Sequence, residues 1–131
     1  MTTLGIGVDI VENSRIRKSI NNKKFLLRIF TKNEIAQSIK TNSKVAFFSK
    51  RFAAKEAFSK ALGLGFRKSL NFKDISIINN KYGKPSIKIK DKLQNIIKKQ
   101  FKTNKVNILL SISDENKYSI AFVILEKNEI K

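Results

Sequence analysis

Two acidic residues with apolar neighbours are the side chains of this sequence best suited to bind a metal ion. Asp9 lies in the run LGIGVDI, and Glu56 lies in RFAAKEAFSKALGLG, residues 51–65. A carboxylate buried in such surroundings costs free energy unless it is paired or bound to a cation. With basic residues one helical turn away, two such acids would suit a Mg²⁺ ion that bridges carboxylates and a diphosphate.

Simpler explanations of both acids stay open from the residues alone. Asp9 can lie exposed at the end of a strand or cap the next turn. Glu56 can form an ordinary i,i+4 ion pair with Lys60 on a solvated face, worth about 0.2–0.5 kcal/mol. Alanines and a phenylalanine surround Glu56 in the sequence, however, and such small and apolar neighbours indicate close packing rather than a solvated face.

The glycines near these residues also allow more than one interpretation. Gly5 and Gly7 precede Asp9 in a predicted strand, where glycine often marks close approach by another part of the molecule. The GLG sequence that begins at Gly63 follows a helix and lacks the Walker spacing, so a helix end and turn are favoured over a phosphate loop. The GKP sequence at Gly83 is likewise a turn signal, although its exposed backbone could contact a phosphate.

The composition limits the possible chemistry. The sequence contains no cysteine and no histidine. Their absence excludes disulfides, thiolate nucleophiles, imidazole bases, and thiolate or imidazole metal ligands. Catalysis would therefore depend on carboxylates, lysines, hydroxyls or a hard, oxygen-binding cation such as Mg²⁺.

The formal net charge of +18 indicates an anionic partner, with nucleic acid, an acidic protein, a membrane surface and a phosphorylated small molecule as the classes to consider. A small basic nucleic-acid-binding protein is the main alternative to an enzyme. Against it, aromatic and basic residues do not alternate along predicted strands as in an RNA-stacking platform. A non-catalytic interaction module would leave the two acids unexplained.

The elements that must position these side chains change in character along the chain. Helices dominate the first half and strands the second, which predicts an α+β fold with an antiparallel sheet packed against helices in one domain, residues 1–131. The predicted elements are a strand at 4–10, a helix from about Ser14, a helix started by a Thr31–Glu34 capping box, a long helix at 43–62 that stops at Gly63, a hairpin at 74–90, a helix at 91–101, and a second hairpin with strands at 108–113 and 118–126.

The sequence has no sign of membrane insertion or export. No apolar run approaches the roughly 18 residues of a membrane span. The first residues also lack a basic segment followed by a long apolar one, which a signal peptide would have. We therefore expect a cytoplasmic protein that does not span a membrane.

Six segments, in their order along nearly the whole chain, resemble the holo-acyl-carrier-protein synthases, the small bacterial 4′-phosphopantetheinyl transferases. The resemblance implies a homotrimer with active sites between subunits, and a Mg²⁺-dependent transfer of 4′-phosphopantetheine from coenzyme A to a serine of apo-acyl carrier protein. Adenosine 3′,5′-bisphosphate would be released, in support of fatty acid biosynthesis. The segments are GIGVDIVENSRI (5–16), LLRIFTKNE (26–34), RFAAKEAFSKALGLG (51–65), LNFKDISI (70–77), YGKP (82–85) and SIAFVILE (119–126).

The same resemblance implies roles for single residues. Asp9 and Glu56 are similar to the two Mg²⁺-binding acids of the family. Glu56 and Lys60 would act in catalysis, with Glu56, or a water activated by it, as the base. Arg51 and Lys60 match basic residues near the coenzyme A phosphates. Gly63 and Gly65 match the loop beside the cofactor. Gly83 and Lys84 match the turn at the nucleotide end. Arg15 and Arg28 match the docking surface for the acidic carrier protein.

Three positions depart from the family pattern. Leu64 stands where many members have threonine. Leu109 and Asp114 stand where some members have histidine. No histidine role is therefore assigned, and these three positions bear on the details of the nucleotide pocket.

Overall fold

A computed structural model describes residues 2–63 and 70–128 of the chain. Within these residues the helices fall mostly before the strands, as the sequence predicts. The elements are β1 Thr2–Glu12, α1 Asn13–Ser19, α2 Lys23–Ile29, α3 Lys32–Ser38, α4 Lys44–Leu62, a 3₁₀ turn at Phe72–Asp74, β2 Ile75–Asn79, β3 Pro85–Ile89, α5 Asp91–Phe101, β4 Val106–Asp114 and β5 Tyr118–Lys127.

The strands form two antiparallel sheets. The larger sheet has the order β1-β5-β4, and the smaller one is the β2–β3 hairpin. The predicted α+β class is confirmed, with the difference that the strands divide between two sheets. None of the helices in the described residues is both long enough and apolar enough to cross a membrane.

Helix α4 is the centre of the fold. It begins after Ser43, whose hydroxyl accepts a hydrogen bond from the Ala46 amide at 3.2 Å. It ends at Gly63, which has a left-handed φ of 78° and donates its amide to the carbonyls of Ser59 and Lys60. The predicted bounds and glycine stop are therefore confirmed. The helix packs mainly on β1 and β5 and is buried on several sides, because apolar residues occupy most of its circumference.

Helices α2 and α3 differ in how well the sequence predicts them. The capping box that starts α3 is confirmed: the Glu34 amide donates to the Thr31 hydroxyl at 3.1 Å, and the Thr31 amide donates to the Glu34 carboxylate at 2.9 Å. Helix α2 was not predicted. It has seven residues, too few for a helical repeat to stand out, and its start is fixed by the Asn22 side chain.

Close contact between β1 and α4 depends on two glycines. A β-carbon added at Gly7 would overlap the carbonyl oxygen of Ala57, and one added at Gly5 would overlap that of Ala61. The predicted close approach is confirmed, and the approaching group is the backbone of α4. This contact sets the distance between the backbones of β1 and α4 at Gly7, two residues before Asp9.

Both predicted hairpins are confirmed. Strands β2 and β3 pair antiparallel, and their connecting turn contains Gly83 with a φ of +84°. Strands β4 and β5 pair antiparallel, with Asp114 opposite Ser119 beside the turn. Helix α5 spans the predicted residues 91–101.

Candidate active site

Strand β1 directs Asp9 towards α4. Alternate residues of the strand face solvent, whereas Gly7 and Asp9 face the helix. The Lys60 ammonium of α4 donates to the Asp9 carboxylate at 3.0 Å and to the Val8 carbonyl at 3.1 Å. Asp9 is therefore neither a solvated strand end nor a helix cap, since the N-cap residue of α1 is Glu12 and it makes no side-chain capping bond.

Asp9 and Glu56 line one cleft, of about 290 Å³, between β1, α1, α2 and α4. Glu56 reaches it from α4, four residues before Lys60, and Arg15 reaches it from α1. Two aromatic rings contribute from α2 and α4. The full lining is Asp9, Ile10, Val11, Arg15, Ile16, Ser19, Phe25, Phe52 and Glu56. The two acids that the sequence singles out thus lie together.

The carboxylates of this cleft are held in an unfavourable electrostatic state. Burial raises the pKa of Asp9 above its usual range, and the hydrogen bond and charge of Lys60 oppose that rise. Burial also raises the pKa of Glu56; the negative charge of Asp9 adds to the rise, and Lys60 opposes it. Bringing two like charges together while removing water disfavours the charged form of each.

Asp9 has a buried oxygen that is free to bind a cation. Its Oδ2 atom is buried and has no hydrogen-bond partner among the residues that the structure describes. A divalent cation would satisfy this oxygen and relieve the repulsion between the two carboxylates. Among residues 2–63 and 70–128, no group of three or more acidic, histidine or cysteine side chains could hold a metal. Two carboxylates fit Mg²⁺, which usually takes one or two of them and completes its shell with water and substrate phosphates.

Lys60 is held at the rim of the cleft rather than inside it. Its side chain is 55% exposed, whereas that of Asp9 is 14% exposed. An ion pair this open to water contributes little to stability. Its two hydrogen bonds instead hold the ammonium beside the carboxylates, where it can meet an anionic substrate.

Arg51 does not join this cleft within one chain. It lies five residues before Glu56 and so on another side of α4. Its guanidinium carbon lies 3.5 Å from the centre of the Phe47 ring, and its Nη2 donates to the Asn79 side chain at 2.7 Å. Arg51 lines a separate cleft of about 250 Å³ with residues of α3 and β2. Contact with a coenzyme A phosphate stays a prediction.

The other residues that the sequence singles out are distributed along the chain. Arg28 is exposed in the last turn of α2, and Gly63 is exposed at the end of α4. Gly83 and Lys84 are exposed in the β2–β3 turn. Gly65 and Leu64 lie outside the described residues. Leu109 is 46% exposed on β4, and Asp114 is the last residue of that strand.

Sequence reasoning missed a buried ion pair directly beside Glu56. The Lys55 ammonium lies 2.6 Å from the Glu34 carboxylate, and both side chains are almost wholly buried. Lys55 also donates to the carbonyls of Ile29 and Phe72, and Glu34 accepts from the Ile77 amide. The capping box identifies Glu34 from the sequence, but nothing local indicates a partner 21 residues away.

The chain matches known proteins over nearly its full length. Residues 5–123 match the model of the 4′-phosphopantetheinyl transferase superfamily. A holo-[acyl-carrier-protein] synthase from Pelagibacter ubique is 60% identical over 127 residues, which cover 97% of this chain and 99% of the relative.

Solved structures agree. A holo-[acyl-carrier-protein] synthase from Neisseria meningitidis has a TM-score of 0.86 and 37% identity, covering 96% of this chain and all of that one. One from Bacillus anthracis, in complex with CoA (3′,5′-ADP), has a TM-score of 0.81 and 35% identity, covering 98% of this chain and all of that one. With the paired acids of the cleft, these matches show that the chain is an enzyme and belongs to the holo-[acyl-carrier-protein] synthases of the 4′-phosphopantetheinyl transferase superfamily.

Proposed function

We propose that the chain transfers 4′-phosphopantetheine from coenzyme A to a serine of apo-acyl carrier protein and releases adenosine 3′,5′-bisphosphate. The observation that carries this proposal is the cleft lined by Asp9 and Glu56 with Lys60 at its rim, where one buried oxygen of Asp9 has no partner in the described part of the chain. The Bacillus anthracis relative in complex with CoA supports the donor. The transfer would serve fatty acid biosynthesis in the cytoplasm.

Asp9 and Glu56 are the residues that would hold Mg²⁺. When bound, the ion supplies positive charge that neutralises the diphosphate of coenzyme A as the phosphoryl group is transferred. Both carboxylates must be ionised to hold the ion. Without it, burial raises the pKa of both carboxyl groups, and the charge of Asp9 raises that of Glu56 further.

The chain's own side chains account for the rest of the reaction. The serine oxygen forms a bond to the β-phosphorus, and the bond from that phosphorus to the bridging oxygen breaks. The bridging oxygen keeps the electron pair and leaves with adenosine 3′,5′-bisphosphate. Glu56 accepts the serine proton, directly or through a water. The Lys60 ammonium at the rim offsets charge on the phosphate oxygens.

The surface beside the cleft suits an acidic carrier protein. Arg15 lines the cleft, and Arg28 is exposed on the next helix. Further bases on α1 and α2 extend this positive surface: Arg17, Lys18, Lys23 and Lys24. A carrier held here by charge complementarity would present its serine to Glu56. Added salt would weaken such an exposed contact.

We also propose that the chain forms the trimer that the family resemblance implies. The outer face of the larger sheet is apolar and exposed, with Val8 opposite Phe122 and Ile10 opposite Ile120. Contiguous apolar patches of this kind mark interfaces. The turn at Gly83 and Lys84 does not line the acidic cleft of its own chain. An active site between subunits would let that turn meet coenzyme A at a neighbouring cleft.

Mass spectrometry of the carrier protein tests the proposed function. Purified enzyme, Mg²⁺, coenzyme A and apo-acyl carrier protein should give a mass gain of about 340 Da on the carrier, the mass of the transferred group. A carrier whose acceptor serine is replaced by alanine is the matched control and should gain nothing. No gain on a competent carrier would contradict the proposal.

A further inference from the structure

Arg51 is a buried cation whose contacts lead away from the acidic cleft. The residue is only 9% exposed. Its guanidinium stacks on the Phe47 ring one turn earlier in α4, which holds the planar group in one orientation. Its Nη2 then donates a 2.7 Å hydrogen bond to Oδ1 of Asn79, the last residue of β2.

The Asn79 side chain also bonds the turn that follows β2. While its Oδ1 accepts from Arg51, its Nδ2 donates to the Gly83 carbonyl at 2.9 Å. The side-chain amide is planar, so one hydrogen bond fixes the direction of the other. The charged donor makes the Arg51 bond the stronger of the two. The orientation of Asn79, and with it the position of the Gly83 carbonyl, therefore depends on Arg51.

The turn itself is held by local bonds that leave its outer surface open. The Asn80 side chain accepts from the amides of Tyr82 and Lys84, and the Gly83 amide donates to the Asn80 carbonyl. Gly83 needs its positive φ of +84°. These bonds shape the turn internally, whereas the Asn79 side chain links the turn to α4 through Arg51.

From this chain of contacts we infer that Arg51 is a positioning residue for coenzyme A: through Asn79 it holds the Gly83–Lys84 turn in the geometry that receives the nucleotide end. The inference rests on the proposed function, which gives that turn a role in binding coenzyme A. It differs from the role implied by family resemblance, in which Arg51 lies near the phosphates itself.

The burial of Arg51 favours the indirect role. Its Nη2 is bound to Asn79, and its Nη1 donates to the Phe47 carbonyl at 3.5 Å. A phosphate from solvent could reach this guanidinium only through its small exposed fraction. The exposed Lys84 is better placed to meet an anion directly.

Steady-state kinetics of Arg51→Lys, Asn79→Ala and the double variant test the inference. Each single variant should raise KM for coenzyme A about tenfold, equivalent to about 1.4 kcal/mol. The double variant should also rise about tenfold rather than a hundredfold, because both changes break one link. KM for the carrier and kcat should stay near the wild-type values. Gln37→Ala, in the same cleft as Arg51, is the matched control and should leave all three unchanged.

Hydrogen exchange measured by mass spectrometry gives a readout independent of transfer. Peptides covering residues 80–84 should exchange faster in Arg51→Lys and Asn79→Ala than in the wild type or Gln37→Ala. Unchanged exchange would overturn the link even if the wild type proved inactive. If the wild type is active and Asn79→Ala has a normal KM for coenzyme A, only the positioning role is overturned. A hundredfold rise in the double variant would show that Arg51 contacts coenzyme A independently.

Discussion

At the scale of single residues, the cleft combines groups that are poorly suited to stability and well suited to binding a cation. Asp9 keeps a buried oxygen that no described residue bonds, and Glu56 is disfavoured as an anion by burial and by Asp9. Functional sites commonly carry such a cost to stability. An ion pair alone does not explain Glu56, because Lys60 makes its short contact with Asp9 instead.

Replacing Glu56 by glutamine should therefore separate stability from function. Without Mg²⁺, the Tm of Glu56→Gln should equal or exceed that of the wild type, because the variant removes a disfavoured charge. Added Mg²⁺ should raise the Tm of the wild type but not of the variant, since ligands stabilise only the state that binds them. Differential scanning calorimetry measures both. An equal Mg²⁺-induced rise in the two proteins would contradict a role for Glu56 in holding the ion.

The difference in Tm should depend on pH in a defined direction. The folded-state pKa values of Asp9 and Glu56 are raised, so the folded chain binds protons more tightly than the unfolded chain. Their contribution to stability therefore grows as pH falls through these pKa values and is lost as pH rises. In metal-free buffer, the Tm advantage of Glu56→Gln should shrink from neutral to acidic pH. An advantage that grows on acidification would contradict the raised pKa of Glu56.

At the scale of elements, the site depends on how tightly β1 lies against α4. The sequence predicts the strand, the helix and the close approach at Gly5 and Gly7, because alternation, capping and glycine placement are local signals. It does not predict which element approaches, or that Asp9 faces Lys60. Those facts depend on the packing of residues 51 positions apart, for which a single sequence carries no local signal.

Gly7→Ala tests this packing. The added methyl group would overlap the Ala57 carbonyl, which belongs to the helix backbone and cannot rotate away. We expect a loss of about 1–3 kcal/mol in the free energy of unfolding, with reduced transfer because β1 carries Asp9. Urea denaturation measures the loss. Thr3→Ala, at an exposed position of the same strand, is the control and should change stability little. Wild-type stability in Gly7→Ala would show that β1 and α4 are not in backbone contact.

The buried pair Lys55–Glu34 joins α4 to α3 beside the site, and the Glu34 carboxylate also binds the β2 backbone. Removing one partner leaves an uncompensated buried charge, which costs about 3–5 kcal/mol. We therefore expect Lys55→Met to destabilise the fold by this amount in urea denaturation. The double variant with Glu34→Gln should lose less than the sum of the two single losses. Additive losses would show that the two side chains act separately.

At the scale of the whole molecule, the apolar sheet face and the two predicted docking arginines lie on different elements. The apolar face belongs to the larger sheet, whereas Arg15 and Arg28 lie on the helices that follow β1. The sequence predicts a basic surface from composition but gives no direct sign of the apolar face. The residues of the apolar face alternate with buried ones along each strand. They become neighbours because β1 pairs with β5, which no local pattern reveals.

A charge placed on the apolar sheet face should prevent assembly. Phe122→Asp puts a carboxylate where the proposed interface would bury it, so we expect monomers, and little transfer if subunits share the active site. Light scattering after size-exclusion chromatography measures the mass. Ile39→Asp is the matched control, since Ile39 is 74% exposed and lies away from the sheet. A Phe122→Asp protein that stays trimeric would contradict this interface.

The most direct test of the central claim is the mass of the carrier protein after reaction with wild type, Asp9→Asn and Glu56→Gln in parallel. Each reaction contains Mg²⁺, coenzyme A and apo-acyl carrier protein, and circular dichroism verifies that all three enzymes are folded. The proposed function predicts a gain of about 340 Da with the wild type and none with either folded variant. Full transfer by either variant would contradict a catalytic site built on these two carboxylates.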